Sequence, residues 1–278
     1  MKNLQNGGYI IMYQTIGFIG TGTMGSAVAR AAARSGLTET ILLSNRTPAK
    51  AEALAAELPG AAMSSNEEIA RSARLIFLGV KPQMMGLVLS PLAPILRERE
   101  DRFVLATMAA GLSCNRIQDL ADLTCPVIRM MPNTPAAIGA GVVQYCGQGA
   151  TVEELDDFAA LLAPAGLVDA VPESLIDAAS AVSGCGPAFA YLFLEALADG
   201  GVACGLPRDK ATAYAAQMLE GAARMVLETG RHPGALKDAV CSPGGTTIQG
   251  VRTLEERGFR AAAMDAVIAA YEKTLKLR

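Results

Sequence analysis

Six residues near the start of the chain constrain it most. Gly20-Thr21-Gly22-Thr23-Met24-Gly25 follows a short apolar run, Thr15–Gly20, and opens an Ala-rich stretch, Thr23–Ser35, that is closed by Gly36. The local pattern is a buried strand, a tight turn and a helix with a glycine just past its end. Gly20 permits the turn, Gly22 leaves room beside the backbone, and Gly25 lets helix and strand approach closely. The first helical turn, with Thr23 and Met24 in it, presents free N–H groups and a partial positive charge. That suits a pyrophosphate, so the segment reads as a dinucleotide site heading an α/β domain.

The next strand, Thr40–Asn45, ends in Ser44-Asn45-Arg46-Thr47. An NAD site places a carboxylate about 20 residues after the glycines, for the ribose hydroxyls. None stands here. An amide, a guanidinium and a hydroxyl suit a 2′-phosphate instead, so Asn45, Arg46 and Thr47 point to NADPH, with NADH the weaker alternative. A blander reading leaves Arg46 solvated and Thr47 as the cap of a helix that starts at Pro48 and runs to Leu58; Thr47 can do both jobs. Two further strand ends, Gly79-Val80-Lys81-Pro82-Gln83 and Met131-Pro132-Asn133-Thr134-Pro135, fall on the same carboxyl edge. They place Val80, Lys81, Pro82 and Asn133 beside the nicotinamide, or they are two proline-stiffened turns with no ligand.

Strand candidates continue at Leu75–Val80, Arg102–Met108, Val127–Met131, Gly141–Tyr145 and Leu167–Val171, with helical stretches between several of them. The alternation implies a Rossmann-type, doubly wound, mostly parallel sheet over residues 15–172, after a polar tail, 1–14, whose Met1–Tyr13 reads as loosely ordered. From 173 to 278 the chain is helical in character, broken only at Gly and Pro clusters, and reads as a second, all-α domain for substrate and dimerisation. Within it Pro187–Ala198 is apolar nearly all the way round. A domain of this size has little interior for such a helix, so it is expected to bury itself against a second copy, giving a homodimer. The competing reading is a central helix wrapped by its own neighbours.

With 278 residues, 51% hydrophobic and 18% charged, the chain is globular rather than disordered. A net charge of −3 and a 5% share of aromatics, with no Trp, argue against a nucleic-acid partner. No uninterrupted apolar stretch approaches the roughly 20 residues of a membrane span, and no secretory leader is evident, so no membrane partner is expected. The six Cys include no CxxC pair and have one His to help them, so no metal is expected; buried free thiols in a reducing, cytoplasmic setting fit best.

The most unusual stretch is His232–Thr247. Ser242-Pro243-Gly244-Gly245 breaks one helix and Thr246-Thr247 starts another, so backbone N–H groups are freed to face a compact carboxylate, with a Thr hydroxyl to reach a polar ring atom beside it. An ordinary helix–helix turn is the alternative. His232, before a proline, reads as a cap or packing residue rather than a catalyst. Lys237 and Asp238 read as paired with neighbours or solvated.

These residues together resemble the pyrroline-5-carboxylate reductase family. The resemblance spans Thr15 to about Lys273 and rests on IGFIGTGTMGSA (Ile16–Ala27), SNRTP (Ser44–Pro48), FLGVKPQ (Phe77–Gln83), MPNTPA (Met131–Ala136), SGCGPAF (Ser183–Phe189) and HPGALKDAVCSPGGTTIQG (His232–Gly250). It implies a helical domain that interlocks with a second subunit, often within a larger ring of dimers. It also implies that Gly244, Gly245, Thr246 and Thr247 hold the substrate: the amides of Gly245 and Thr246 take the carboxylate, and the Thr247 hydroxyl meets the ring nitrogen as the catalytic contact. The implied reaction is hydride transfer from NADPH to the imine carbon of (S)-1-pyrroline-5-carboxylate, giving L-proline, the last step of proline biosynthesis. The family commonly has SGSGPAY where this chain has Cys185 and Phe189, so any role of those hydroxyls does not carry over. The alternatives are another two-domain NADP-dependent imine or hydroxyacid oxidoreductase, or a non-catalytic NADP sensor. A β-hydroxyacid dehydrogenase would need a Lys on the helical domain's first long helix, and Ser174–Asp199 has none.

Overall fold

The computed structural model describes residues 13–277, so the reading of Met1–Tyr13 lies outside the described residues except at its last position. Tyr13 is not loose: it is buried and begins the first strand. The chain forms two compact units, residues 13–184 with 271–277, and residues 185–270.

The first unit carries eight strands: β1 (Tyr13–Ile19), β2 (Thr38–Ser44), β3 (Ala61–Met63), β4 (Leu75–Leu78), β5 (Val104–Thr107), β6 (Val127–Pro132), β7 (Gly141–Gln148) and β8 (Gly166–Ala170). Its helices are α1 (Thr23–Ser35), α2 (Pro48–Glu57), α3 (Asn66–Ser72), α4 (Met85–Arg97), α5 (Cys114–Ala121), α6 (Val152–Leu162) and α7 (Glu173–Ser183). The spatial order is β3-β2-β1-β4-β5-β6-β7-β8, with every pair parallel except β6–β7. The order reverses between β1 and β4, and open α/β sheets bind ligands at the carboxyl end of such a reversal.

The central strands are apolar on both faces, as a sheet covered by helices on each side requires. Ile16 and Phe18 of β1 and Leu75 and Phe77 of β4 join one core layer, under α1 and α6. Ile19, Ile76 and Leu78 join the other, against α3, α4 and α5. Phe18 and Phe77 stack at 4.4 Å between ring centroids. Two elements differ from expectation. The edge strand β3, with the small sequence Ala-Ala-Met, carries no strand signal of its own and is held by register against β2. β7 runs three residues past Tyr145, to Gln148, because β6 pairs with it along its whole length.

The region from residue 173 is helical throughout. In packing terms α7 stays with the sheet: Asp177, buried on α7, pairs with Arg129, buried on β6, and Ile176 is fully enclosed. The second unit comprises α8 (Gly186–Ala203), α9 (Arg208–Thr229), α10 (Pro233–Ala239), α11 (Thr246–Glu256) and most of α12 (Phe259–Leu275). Its only buried residues are Ala198, Ala211 and Ala215, whereas Tyr191, Leu192, Tyr214, Met218 and Met264 are exposed. The apolar α8 is therefore not wrapped by its own neighbours, which leaves the partner-chain reading.

The stretch Glu173–Ala203 is long and apolar enough, by length and composition alone, to cross a membrane, contrary to the expectation that no segment would be. Its acidic residues include Asp177, whose ion pair with Arg129 fastens α7, the first part of this stretch, to the sheet.

Candidate active site

The glycines after β1 act as the spacing implied. Gly20 has φ +100°, and a Cβ there would lie 2.7 Å from the backbone of Gly79, which follows β4. A Cβ on Gly25 would lie 2.1 Å from the Gly20 carbonyl oxygen. The two loops at the sheet reversal are thus pressed backbone to backbone. Around Gly22 the situation is opposite: a Cβ would meet nothing within 4 Å. Gly22 caps α1 with no side chain on the helix N–H groups and no acid in the first turn, so Thr23, Met24 and their neighbours leave the helix start open to an anion.

Beside this helix start lies a cleft of about 470 Å³, bounded by Gly20 and Gly22, by Asn45, Arg46, Thr47 and Lys50 after β2, and by Val80 and Lys81 after β4. Three cations line it and, among the described residues, no carboxylate does. Asn45 works on the frame: its Oδ1 accepts from the Thr21 N–H at 3.2 Å and its Nδ2 donates to the Thr47 carbonyl at 3.0 Å, joining the two lips. Arg46 is exposed and faces solvent. Thr47 occupies the N-cap position of α2, but its side chain makes no capping hydrogen bond, so the capping half of its reading does not hold and the hydroxyl stays available. Lys50, one turn into α2, escaped the sequence reading. It is the sole other cation on the same lip, and a Lys three residues after a cap looks like any solvated helix residue.

Pro82 opens a single tight turn, Pro82–Met84, capped by Lys81. Asn133, at the end of β6, spends its side chain on the fold. Its Nδ2 donates to the Ser183 carbonyl at 3.0 Å and its Oδ1 accepts from the Val142 N–H at 2.9 Å. The turn it starts is held further by Arg34 of α1, which donates to the carbonyls of Ala136, Ala137 and Pro164. Asn133 therefore shapes this strand end, and it does not line the cleft.

In the second unit, Ser242–Thr247 forms one compact turn. Gly244 has φ +68°, a conformation that favours glycine. The Gly245 N–H donates to the Ser242 carbonyl at 3.0 Å, so this amide is engaged inside the turn and does not face outward as the resemblance implies. Gly245 instead caps α11 without a side chain, and a Cβ there would lie 2.4 Å from Ser242 Oγ. The N–H groups of Thr246, Thr247 and Ile248 have no acceptor within the helix, and no acid stands in its first turn. Both threonines are exposed. His232 is a cap, as read: its Nδ1 accepts from the Gly234 N–H at 3.0 Å. Lys237 pairs with Asp238 at 2.5 Å, and that contact holds the lysine above its usual range.

Residues 173–277 match the family model described as pyrroline-5-carboxylate reductase dimerisation, and residues 15–110 match that of NADP oxidoreductase coenzyme F420-dependent. The chain is 41% identical over 266 residues to pyrroline-5-carboxylate reductase of Pisum sativum, covering 95% of this chain and 96% of that protein. It is 40% identical over 269 residues to the Escherichia coli (strain K12) protein of the same name, covering 96% and 99%. Among solved structures, Plasmodium falciparum pyrroline carboxylate reductase with NADP bound superposes with a TM-score of 0.84 at 31% identity, covering 97% of this chain and 99% of that one. The match to the NADP oxidoreductase model is confined to the nucleotide-binding part, whereas the reductase relatives match both units. The chain belongs to the pyrroline-5-carboxylate reductase family.

Proposed function

We propose that this protein reduces (S)-1-pyrroline-5-carboxylate to L-proline with NADPH, the closing step of proline biosynthesis. The observation that carries the reading is the full-length relationship to proteins named for that activity. The dinucleotide suits the first unit: an uncapped helix start, open space at Gly22, and Arg46 and Lys50 in a cleft free of carboxylates among the described residues. When bound, NADPH supplies the hydride that adds to the imine carbon. The α1 amides hold the pyrophosphate, and Arg46, Lys50 and the Thr47 hydroxyl hold the 2′-phosphate.

The second unit supplies the substrate's anion site. The amides of Thr246 and its successors take the carboxylate, Gly244 and Gly245 give the turn its shape, and the Thr247 hydroxyl orients the ring nitrogen. A cyclic imine protonates readily and is then electrophilic. The protein's task is therefore positioning rather than acid–base chemistry, in keeping with a chain whose one His is a helix cap. The exposed apolar faces of α8 and α9 are buried in a homodimer, and such dimers assemble further into a ring, in the cytoplasm.

The test is loss of NADPH absorbance on adding pyrroline-5-carboxylate, with NADH alongside and proline measured as product. Thr247→Val is expected to cut turnover strongly while NADPH binding survives. Undiminished turnover in that variant removes Thr247 from the reaction.

A further inference from the structure

Cys114, Cys146 and Glu173 are distant in sequence and meet in the fold. Cys114 opens α5, Cys146 lies on β7 opposite Arg129, and Glu173 opens α7. The two sulfurs and a carboxylate oxygen all lie within 4.8 Å of one another. Ligand atoms around one tetrahedral zinc-class ion stand roughly 3.3–3.8 Å apart, given bond lengths near 2.0–2.3 Å, so small side-chain adjustments bring this trio to bonding distance. Glu173 is fixed in place: its Oε1 accepts from the Cys114 N–H at 2.8 Å, which holds the carboxylate against the thiols. The thiols also interact with each other. Each thiol perturbs the other, holding Cys114 above, and Cys146 below, the usual thiol range, while the Cys114 thiol donates to the Val127 carbonyl at 3.8 Å.

A cation stands nearby. Arg129 Nη1 is 3.8 Å from Glu173. It does not exclude a metal, because Asp177 already pairs with Arg129. Two thiolates and a carboxylate carry three negative charges, and a divalent ion neutralises all but one of them. The trio is open to solvent on its Glu173 side. A cleft of about 480 Å³, lined by Ser113, Arg116, Arg129, Glu173 and Ser174, opens onto the carboxylate.

We propose that Cys114, Cys146 and Glu173 form a binding site for one thiophilic divalent cation of the zinc class, with water from the adjoining cleft as fourth ligand. Two sulfurs and one oxygen favour Zn²⁺ or Cd²⁺ over Mg²⁺ or Ca²⁺. Binding releases the thiol protons and ties the starts of α5 and α7 to β7, so the ion acts as a staple at this end of the sheet. The site reverses the expectation drawn from sequence, where the absence of a CxxC pair argued against any metal. The fold supplies the proximity that spacing did not.

The experiment is titration of reduced, metal-free, full-length protein with Cd²⁺ alone, following sulfur-to-cadmium charge-transfer absorbance and the thermal midpoint. One equivalent is expected to saturate the band and raise the midpoint, and Mg²⁺ alone is expected to do neither. The Cys114→Ser/Cys146→Ser double variant is expected to lose the band. A variant with Cys125, Cys185, Cys204 and Cys241 replaced by Ala is expected to keep it. Glu173→Gln leaves every thiol in place and is expected to keep the band but weaken Cd²⁺ binding at least tenfold. No band at one equivalent with all six thiols reduced, a band that survives the double variant, or unchanged affinity in Glu173→Gln overturns the proposal.

Discussion

Gly22→Ala and Gly25→Ala sit three residues apart and should fail in different ways. At Gly25 a Cβ falls 2.1 Å from the Gly20 carbonyl oxygen, about an ångström inside any tolerable contact, and the obstacle is backbone that cannot rotate away. Alanine gains roughly 1 kcal/mol of helix propensity. Overpacking costs about 1–3 kcal/mol and more where backbone must move. With the cost at the upper end, about 3 kcal/mol, the expected net loss is about 2 kcal/mol, or several degrees at roughly 2–4 °C per kcal/mol for a unit of this size. The displaced loop also carries the pyrophosphate site, so NADPH affinity falls too. At Gly22 nothing stands within 4 Å, and φ −71° is open to any residue. A stiffer unfolded chain gains about 0.4–1 kcal/mol, offset by the similar cost of alanine at an N-cap. Stability should hardly change while NADPH affinity drops, because the methyl group occupies the phosphate's space. Thermal unfolding without cofactor and calorimetric NADPH titration separate the cases. Equal destabilisation by both variants, or normal NADPH binding by Gly22→Ala, refutes the assignment of a packing glycine and a ligand-space glycine.

Arg46→Ala should weaken NADPH about 10- to 100-fold, the worth of a charge-assisted hydrogen bond, and barely alter NADH; equal losses in paired titrations would remove the 2′-phosphate assignment. Lys50→Ala should show the same selectivity more weakly. Asp177→Ala leaves the buried Arg129 charge with only the more distant Glu173 carboxylate, 3.8 Å away, and should cost up to about 3–5 kcal/mol in urea unfolding, with a loss below 1 kcal/mol counting against a buried pair. Glu154 is held below its usual value of 4.5, first by hydrogen bonds from Arg102, at 2.6 and 2.9 Å, then by the Thr151 N–H. Because the folded-state pKa is depressed, this contribution is complete above about pH 4.5 and is lost as the pH falls through the folded value. Glu154→Gln should lower stability near neutrality and flatten the acid limb of the stability–pH curve; a parallel curve would refute the assignment.

Local rules made much of the fold legible. Helix α1 starts and stops where its glycines say, because Gly36 takes the left-handed conformation a helix end favours. Polar side chains were less readable, since their partners come from elsewhere in the chain. Asn45 and Asn133 stood out as residues facing a ligand, yet their amides tie loops together, and nothing beside them in sequence announces Thr21, Val142 or Ser183 as partners. The Gly245 amide was expected to face outward and is turned inward by the Ser242 carbonyl, a choice of one dihedral that composition does not encode. The antiparallel β6–β7 pair was hidden for a related reason: apolar alternation reports which face is covered, not which way the neighbour runs.

The near absence of buried side chains in residues 185–270 bears on how the protein behaves when it is scarce. Helices that enclose only three alanines draw their free energy from a second chain, so their folding obeys mass action. Dilution is then a denaturant, and the unfolding temperature becomes a function of protein concentration. A subunit damaged only in its nucleotide cleft would still dock, occupying a sound partner.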